Sequence, residues 1–115
     1  MNEIERLHEM LKEANIPHIF TEPTFTDDMF GKWNPYPNYQ IVIEKNGKRL
    51  CDAIYGYFSY GYEKGLLEIM GGLTEDEREI DEVLGHLTAD EVFKRFKYCY
   101  ENNTSLYKEV LKNEN

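Results

Sequence analysis

Residues 39–57, YQIVIEKNGKRLCDAIYGY, decide the fold. Tyr39 to Lys45 alternates apolar and polar side chains, and Lys48 to Tyr57 supplies a returning strand. Between them stands Asn46-Gly47, the strongest short-range hairpin signal, because a two-residue type I′ turn needs positive φ at both central positions. Such a turn sets the register. It predicts Glu44 opposite Arg49, Ile43 opposite Leu50, Val42 opposite Cys51 and Ile41 opposite Asp52, so that an ion pair sits beside apolar pairs on a face only partly buried.

Working outward toward the N-terminus, residues 2–14 read as an amphipathic helix. Asn2 is its N-cap with Glu5 three residues on, and Ile4, Leu7, Met10, Leu11 and Ala14 share one face. Asn15 ends it in the left-handed conformation, and Pro17 forbids continuation. Residues 16–21 are predicted as a short strand. The irregular stretch 22–38 holds three of the four prolines and is long for a connection in a compact domain, which marks it as mobile or functional.

On the C-terminal side, Gly65 and Gly71-Gly72 bracket a further strand at Leu66 to Met70. Two helices are expected to follow, at 75–84 and 88–101. In the second, Val92, Phe93, Phe96, Cys99 and Tyr100 form an apolar stripe with Lys94, Arg95 and Lys97 outside it. Asn102-Asn103 stops it, and Leu106, Tyr107, Val110 and Leu111 predict a last short helix. The fold class expected is α+β: an antiparallel sheet of three to four strands around the central hairpin, with the N-terminal and 88–101 helices covering one face.

The 115 residues fit a single domain, and a chain of this size buries roughly two thirds of its unfolded surface. With 41% hydrophobic and 14% aromatic residues, apolar area suffices to offset chain entropy. No run of eighteen apolar residues occurs, and the acidic, amphipathic start lacks the basic-then-apolar order of a signal peptide, so a soluble cytoplasmic protein is expected. Cys51 and Cys99 have no CxxC or zinc-finger spacing; they read as small buried hydrophobes, with no disulfide and no metal.

Charge is one-sided. Between Glu63 and Glu91 stand ten acids against Lys64 and Arg78, nearly the whole formal charge of −9. Leu73-Thr74-Glu75-Asp76-Glu77 recurs as Leu87-Thr88-Ala89-Asp90-Glu91, and both copies have the form of a capping box, Thr at N-cap and Glu at N3. Leu87 and Val92 also fit a hydrophobic staple. Caps account for five of the ten acids, and acids in a first turn suit the helix dipole. Glu79, Asp81 and Glu82 lie beyond that turn. They are either a solvated face or a docking surface for a basic protein site, while Lys94, Arg95 and Lys97 are too few to make nucleic acid a partner.

A second feature is Tyr55-Gly-Tyr-Phe-Ser-Tyr-Gly-Tyr62, five aromatics in eight residues. Were the strand to continue, Tyr55 and Tyr57 would point to one face and Phe58, Tyr60 and Tyr62 to the other, so some must pack. Phe25, Phe30, Trp33 and Tyr36 stand in the nearby loop. Trp33, Tyr36, Tyr55, Tyr57, Tyr60 and Tyr62 are thus candidates for a ligand site or an interface, alongside the plainer reading of core packing. Catalytic signals are poor: no GxSxG, HExxH or P-loop occurs, His8, His18 and His86 are scattered, and nothing ties Asp52 to a histidine. No catalytic residue and no cofactor is implied.

The stretch YGYEKGLLEIMGGLTEDEREIDEVLGHLTADEVFKRFKYCYE, through its Gly-Leu-Leu-Glu and Leu-Thr-x-x-Glu runs, resembles the C-terminal half of small acidic proteins encoded by phages and prophages of Firmicutes, a group without an assigned function. The resemblance implies a small phage accessory protein acting on a host system. Combined with the acidic and aromatic surface, the expectation is an accessory or inhibitor protein that docks on a host or phage protein with a basic surface, and the charge and hydropathy readings leave out nucleic acid and membrane as partners. A small-ligand module for an aromatic or nucleotide-like molecule and a structural homodimer or larger homo-oligomer are the alternatives.

Overall fold

The computed structural model describes residues 2–21, 38–56, 59–70 and 83–106. In chain order the elements are helix α1 (Glu3–Glu13), β1 (Ile19–Thr21), β2 (Tyr39–Lys45), β3 (Lys48–Tyr55), a single 3-10 turn (Tyr62–Lys64), β4 (Leu67–Met70), β5 (Val83–Leu87) and helix α2 (Ala89–Asn102). The strands form one antiparallel sheet in the order β1-β2-β3-β4-β5, so each strand pairs with its neighbours in sequence. The protein is α+β. α1 and α2 pack on each other and on the same face of β2 and β3.

That face is the core. Ile41, Ile43, Cys51, Ala53, Leu67 and Ile69 from the sheet meet Ile4, Leu7 and Leu11 of α1 and Val92, Phe96 and Cys99 of α2, all essentially inaccessible to solvent. Both helices start in capping boxes: the Asn2 side chain accepts from Glu5 N–H, and the Thr88 side chain from Glu91 N–H, with each glutamate reaching back. Leu87 and Val92 are both buried, as a staple requires. α1 ends at Ala14, which is exposed rather than part of the apolar face, with Asn15 left-handed at φ 57°. α2 ends on Asn103, likewise left-handed, whose N–H donates to the Cys99 carbonyl.

The hairpin register departs from the turn-based expectation. Lys45 pairs with Lys48 and Glu44 with Arg49, but then Ile43 faces Cys51, Val42 faces Asp52 and Ile41 faces Ala53. One extra residue, Leu50, has been taken into β3 as a bulge. The cause lies outside the hairpin: the Leu50 carbonyl accepts from Leu106 N–H at 3.0 Å and from the Ser105 hydroxyl at 2.9 Å, in the segment that follows α2. The slip moves Asp52 off the helix-covered face and puts Ala53 there, so the face expected to be half-polar is apolar throughout. Asp52 instead accepts from Gln40 Nε2 at 3.2 Å. Among the described residues, Glu44 and Arg49 face each other without closing into an ion pair, whereas Arg6 pairs with Glu3 and Asp90, and Lys12 with Glu9.

Two further differences concern element identity. Among the described residues the sheet has five strands, one more than the upper end of the expected three to four, because Val83 and Leu84, expected at the end of a helix, open strand β5. The rest of that expected helix, residues 75–82, lies outside the described residues. β3 stops at Tyr55 rather than Tyr57 because the chain turns at Gly56, whose carbonyl accepts from both the amide and the hydroxyl of Ser59. Leu106 is buried, and the remainder of the last predicted helix falls outside the described residues. Among the described residues no helix is long and apolar enough to cross a membrane.

Candidate functional site

The connection between β3 and β4 holds Tyr60 and Tyr62 of the aromatics singled out from the sequence, with Tyr55 at the end of β3 beside it. Residues 59–66 are closed by their own backbone hydrogen bonds, Tyr62 N–H to the Ser59 carbonyl and Lys64 and Leu66 N–H to the Gly61 carbonyl, with Gly61 and Gly65 both at positive φ. This compact segment leans on β5. There the pairing with β4 slips, since Leu67 faces Leu87 but Ile69 faces Leu84, and the surplus residue is accommodated by His86 in the left-handed conformation at φ 59°. His86 N–H donates to the Tyr60 carbonyl at 3.2 Å, and Tyr60 N–H donates to Glu68 Oε1 at 2.9 Å. Tyr60 is pinned on both sides of its peptide frame.

Its side chain is nevertheless 58% exposed. Tyr62 and Tyr55 behave differently: their rings pack at 5.2 Å, and Tyr55 continues to Tyr39 at 6.1 Å, Tyr39 to Phe20 at 6.3 Å and Phe20 to His8 at 4.5 Å. An aromatic row thus runs from the 3-10 turn across the ends of β3, β2 and β1 to α1. The expectation that strand alternation would part Tyr55 from Tyr62 is corrected, because the strand ends before Tyr62 and the turn folds it back. Partial burial, then the neighbouring Tyr62 and Tyr39 phenols, push the Tyr55 hydroxyl above its ordinary value.

Beside Tyr60 is a cleft of about 230 Å³ lined by Ser59, Tyr60, Tyr62, Glu63, Lys64 and His86. Sequence reasoning found its two tyrosines but not His86, Lys64 or Glu63. The signal was available in part: Gly61 and Gly65 flank a three-residue turn, which holds Glu63 and Lys64 outward. His86 had no local mark. Of the other candidates, Trp33, Tyr36, Tyr57, Glu79, Asp81 and Glu82 lie outside the described residues. Among the described residues no three His, Cys, Asp or Glu side chains converge as metal ligands.

The remaining titratable groups serve the frame. Glu3 accepts from Ala89 N–H at 3.1 Å and pairs with Arg6, which also reaches Asp90, so the two helix starts are tied together. These carboxylates, Glu3 first, push the Arg6 guanidinium up from its ordinary value. Cys51 and Cys99 are free, fully buried and in mutual contact; burial pushes the Cys51 thiol far up. His8 and His18, scattered in the sequence, meet between α1 and β1.

Among the described residues the architecture is a five-stranded antiparallel meander with two helices on one face and a hydrogen-bonded loop carrying Tyr60 and Tyr62 at the β3–β4 end. No protein-family model, curated protein or solved structure matches this chain.

Proposed function

We propose that this chain is a non-enzymatic binding protein that docks on another protein through Tyr60 and the acids around it, in the manner of a phage-type accessory or inhibitor protein. The observation that carries the reading is a tyrosine 58% exposed on a backbone held by two hydrogen bonds and two left-handed glycines. An amphipathic ring presented on a rigid segment binds with little loss of conformational freedom, which is why tyrosines of this kind dominate many interfaces. Exposed Glu63 stands beside it, and the acid-rich composition from Glu63 to Glu91 favours a partner with a basic surface.

The adjoining cleft supports the same reading. At about 230 Å³ it is smaller than the ~300 Å³ lower end of small-molecule pockets, and it suits a single side chain of a partner. A nucleotide-like or aromatic ligand is the second reading, favoured by the tyrosine lining; a Trp33 fluorescence screen against nucleotides addresses it, and a flat response across the panel removes it.

The leading reading is tested by affinity capture at low and high salt, comparing the natural chain with Tyr60→Ala and with Glu79, Asp81 and Glu82 changed together to Lys. A specific partner is expected to be retained at low salt, released at high salt and bound at least roughly tenfold more weakly by Tyr60→Ala, as for an interface hot spot. Capture unaltered by either variant overturns the proposal. Light scattering on the isolated chain separates this outcome from self-association.

A further inference from the structure

Strand alternation divides the sheet residues between the face packed by α1 and α2 and the face turned away from them. Ala53, Leu67 and Ile69 are buried in the core and Leu84 packs against it, so Asp52 and Ile54 of β3, Glu68 and Met70 of β4 and Gly85 of β5 belong to the second face. The loop that carries Tyr60 lands on it. Tyr60 N–H donates to Glu68 Oε1 at 2.9 Å, and a Cβ at Gly85 would overlap the Tyr60 Cβ. Tyr60 therefore sits over Glu68 and Gly85, and Met70 is the next residue of β4 on the same face. Met70 is 52% exposed, and Ile54, the partner of Glu68 in the register, is half-buried.

An exposed methionine and an exposed tyrosine on one patch make an adaptable apolar surface. The charges set into it are acids: Glu68 between Tyr60 and Met70, Asp52 two positions from Ile54, and Glu63 in the turn. Residues 71–82, which join β4 to β5, add six acids against Arg78. Of the bases in reach, Lys64 follows Glu63 in the turn, and Arg49 stands opposite Glu44 toward the hairpin end. Two copies meeting through this face would set carboxylates against carboxylates, whereas a basic segment answers them. Strand addition along β5 is hindered, because His86 interrupts that strand at φ 59°. An occupant therefore lies over the face, and a helix packs on a sheet face as α1 and α2 do on the other.

We infer that the face around Tyr60, Glu68 and Met70 seats a basic amphipathic helix presented by the partner. Its apolar side chains rest on Ile54 and Met70, and its Lys or Arg side chains reach Glu68, Asp52 and the Tyr60 ring. A carboxylate accepts several hydrogen bonds, so the Tyr60 amide does not exhaust Glu68. Such a seat rests on the binding reading of Tyr60 and extends it from the loop onto the sheet, naming the element that the partner presents.

The probe is a helical peptide of about five turns made of Leu and Lys with the leucines on one face, compared with a peptide of the same composition whose order spreads them around the helix. NMR of the full chain during titration reads the site. The patterned peptide is expected to shift the signals of Ile54, Glu68, Met70 and Tyr60, leave the exposed Tyr98 of α2 unmoved, and bind at least roughly tenfold more tightly than the scrambled one. Met70→Lys should weaken it roughly tenfold or more. Glu68→Gln, which keeps an oxygen for the Tyr60 amide and removes the charge, should weaken it roughly threefold. Both variants should keep the amide spectrum of the folded chain. Equal affinity for the two peptides, shifts confined to other surfaces, or indifference to Met70→Lys overturns the seat, as does a dimer in light scattering that Met70→Lys dissolves. In the partner-capture experiment, binding lost in Tyr60→Ala but kept in Met70→Lys overturns the seat alone, whereas capture unaltered in both overturns the docking reading with it.

Discussion

At position 55 a phenol sits in the aromatic row, and its ionisation is opposed first by burial and then by Tyr62 and Tyr39. Its value in the folded chain is raised, so the stability it contributes is complete below about pH 10, where an unfolded tyrosine begins to ionise, and is lost as pH rises through the folded value. Alkaline unfolding followed by circular dichroism should therefore begin at higher pH in Tyr55→Phe. Two glycines make a paired test of close approach. A Cβ at Gly85 would overlap the Tyr60 Cβ and press on its carbonyl, whereas one at Gly56 would meet chiefly the amide end of the exposed Asn38 side chain. The Tyr60 Cβ cannot rotate away, but the Asn38 amide can. Gly85→Ala should cost about 1–3 kcal/mol in denaturant unfolding and Gly56→Ala under about 0.5 kcal/mol.

Among the elements, helix α2 was legible from Thr88-Ala-Asp-Glu91 because a capping box is a contract between residues three apart and needs no tertiary partner. Thr88→Ala should destabilise the chain by about 1 kcal/mol, read as a shift of the urea midpoint at constant slope. Strand β5 was not legible. Val83-Leu84-Gly85-His86-Leu87 lacks period-2 alternation, and its pairing with β4 is interrupted by the bulge at His86. The bulge in β3 was equally hidden, since the two-residue Asn46-Gly47 turn favours the unbulged register and the choice depends on the docking of Ser105 and Leu106 against the Leu50 carbonyl. Ser105→Ala removes one buried donor to that carbonyl and leaves the Leu106 amide; it should cost about 1 kcal/mol without changing the register of the Asn46-Gly47 turn, a result that cross-strand NMR contacts can read.

For the whole molecule, a formal charge of −9 on 115 residues means that the folded state confines mutually repelling carboxylates. Screening shortens that repulsion to about 8–10 Å near physiological ionic strength. Raising sodium chloride from low to physiological concentration should thus increase the melting temperature, while the same change weakens capture of a basic partner. The opposite signs separate the chain's own electrostatics from those of its interface. Of the candidate site, the tyrosines were visible in the sequence as a run of aromatics, but their division of labour was not. Tyr55 and Tyr62 anchor the loop, and Tyr60 is left outside, because the chain turns at Gly56 and folds back at Gly61.

The amino-acid sequence by itself determined the α+β class, the position of the hairpin turn, both helix caps and the burial of the two cysteines. Each rests on patterns within a few residues, or on the preference of an apolar side chain to leave water. Only the tertiary structure decided the register beyond Glu44, the strand at Val83–Leu87, the exposure of Tyr60 and the meeting of His8 with His18. Those outcomes depend on which carbonyl, ring or imidazole from a distant segment arrives opposite, and such contacts carry no local periodicity by which to be read.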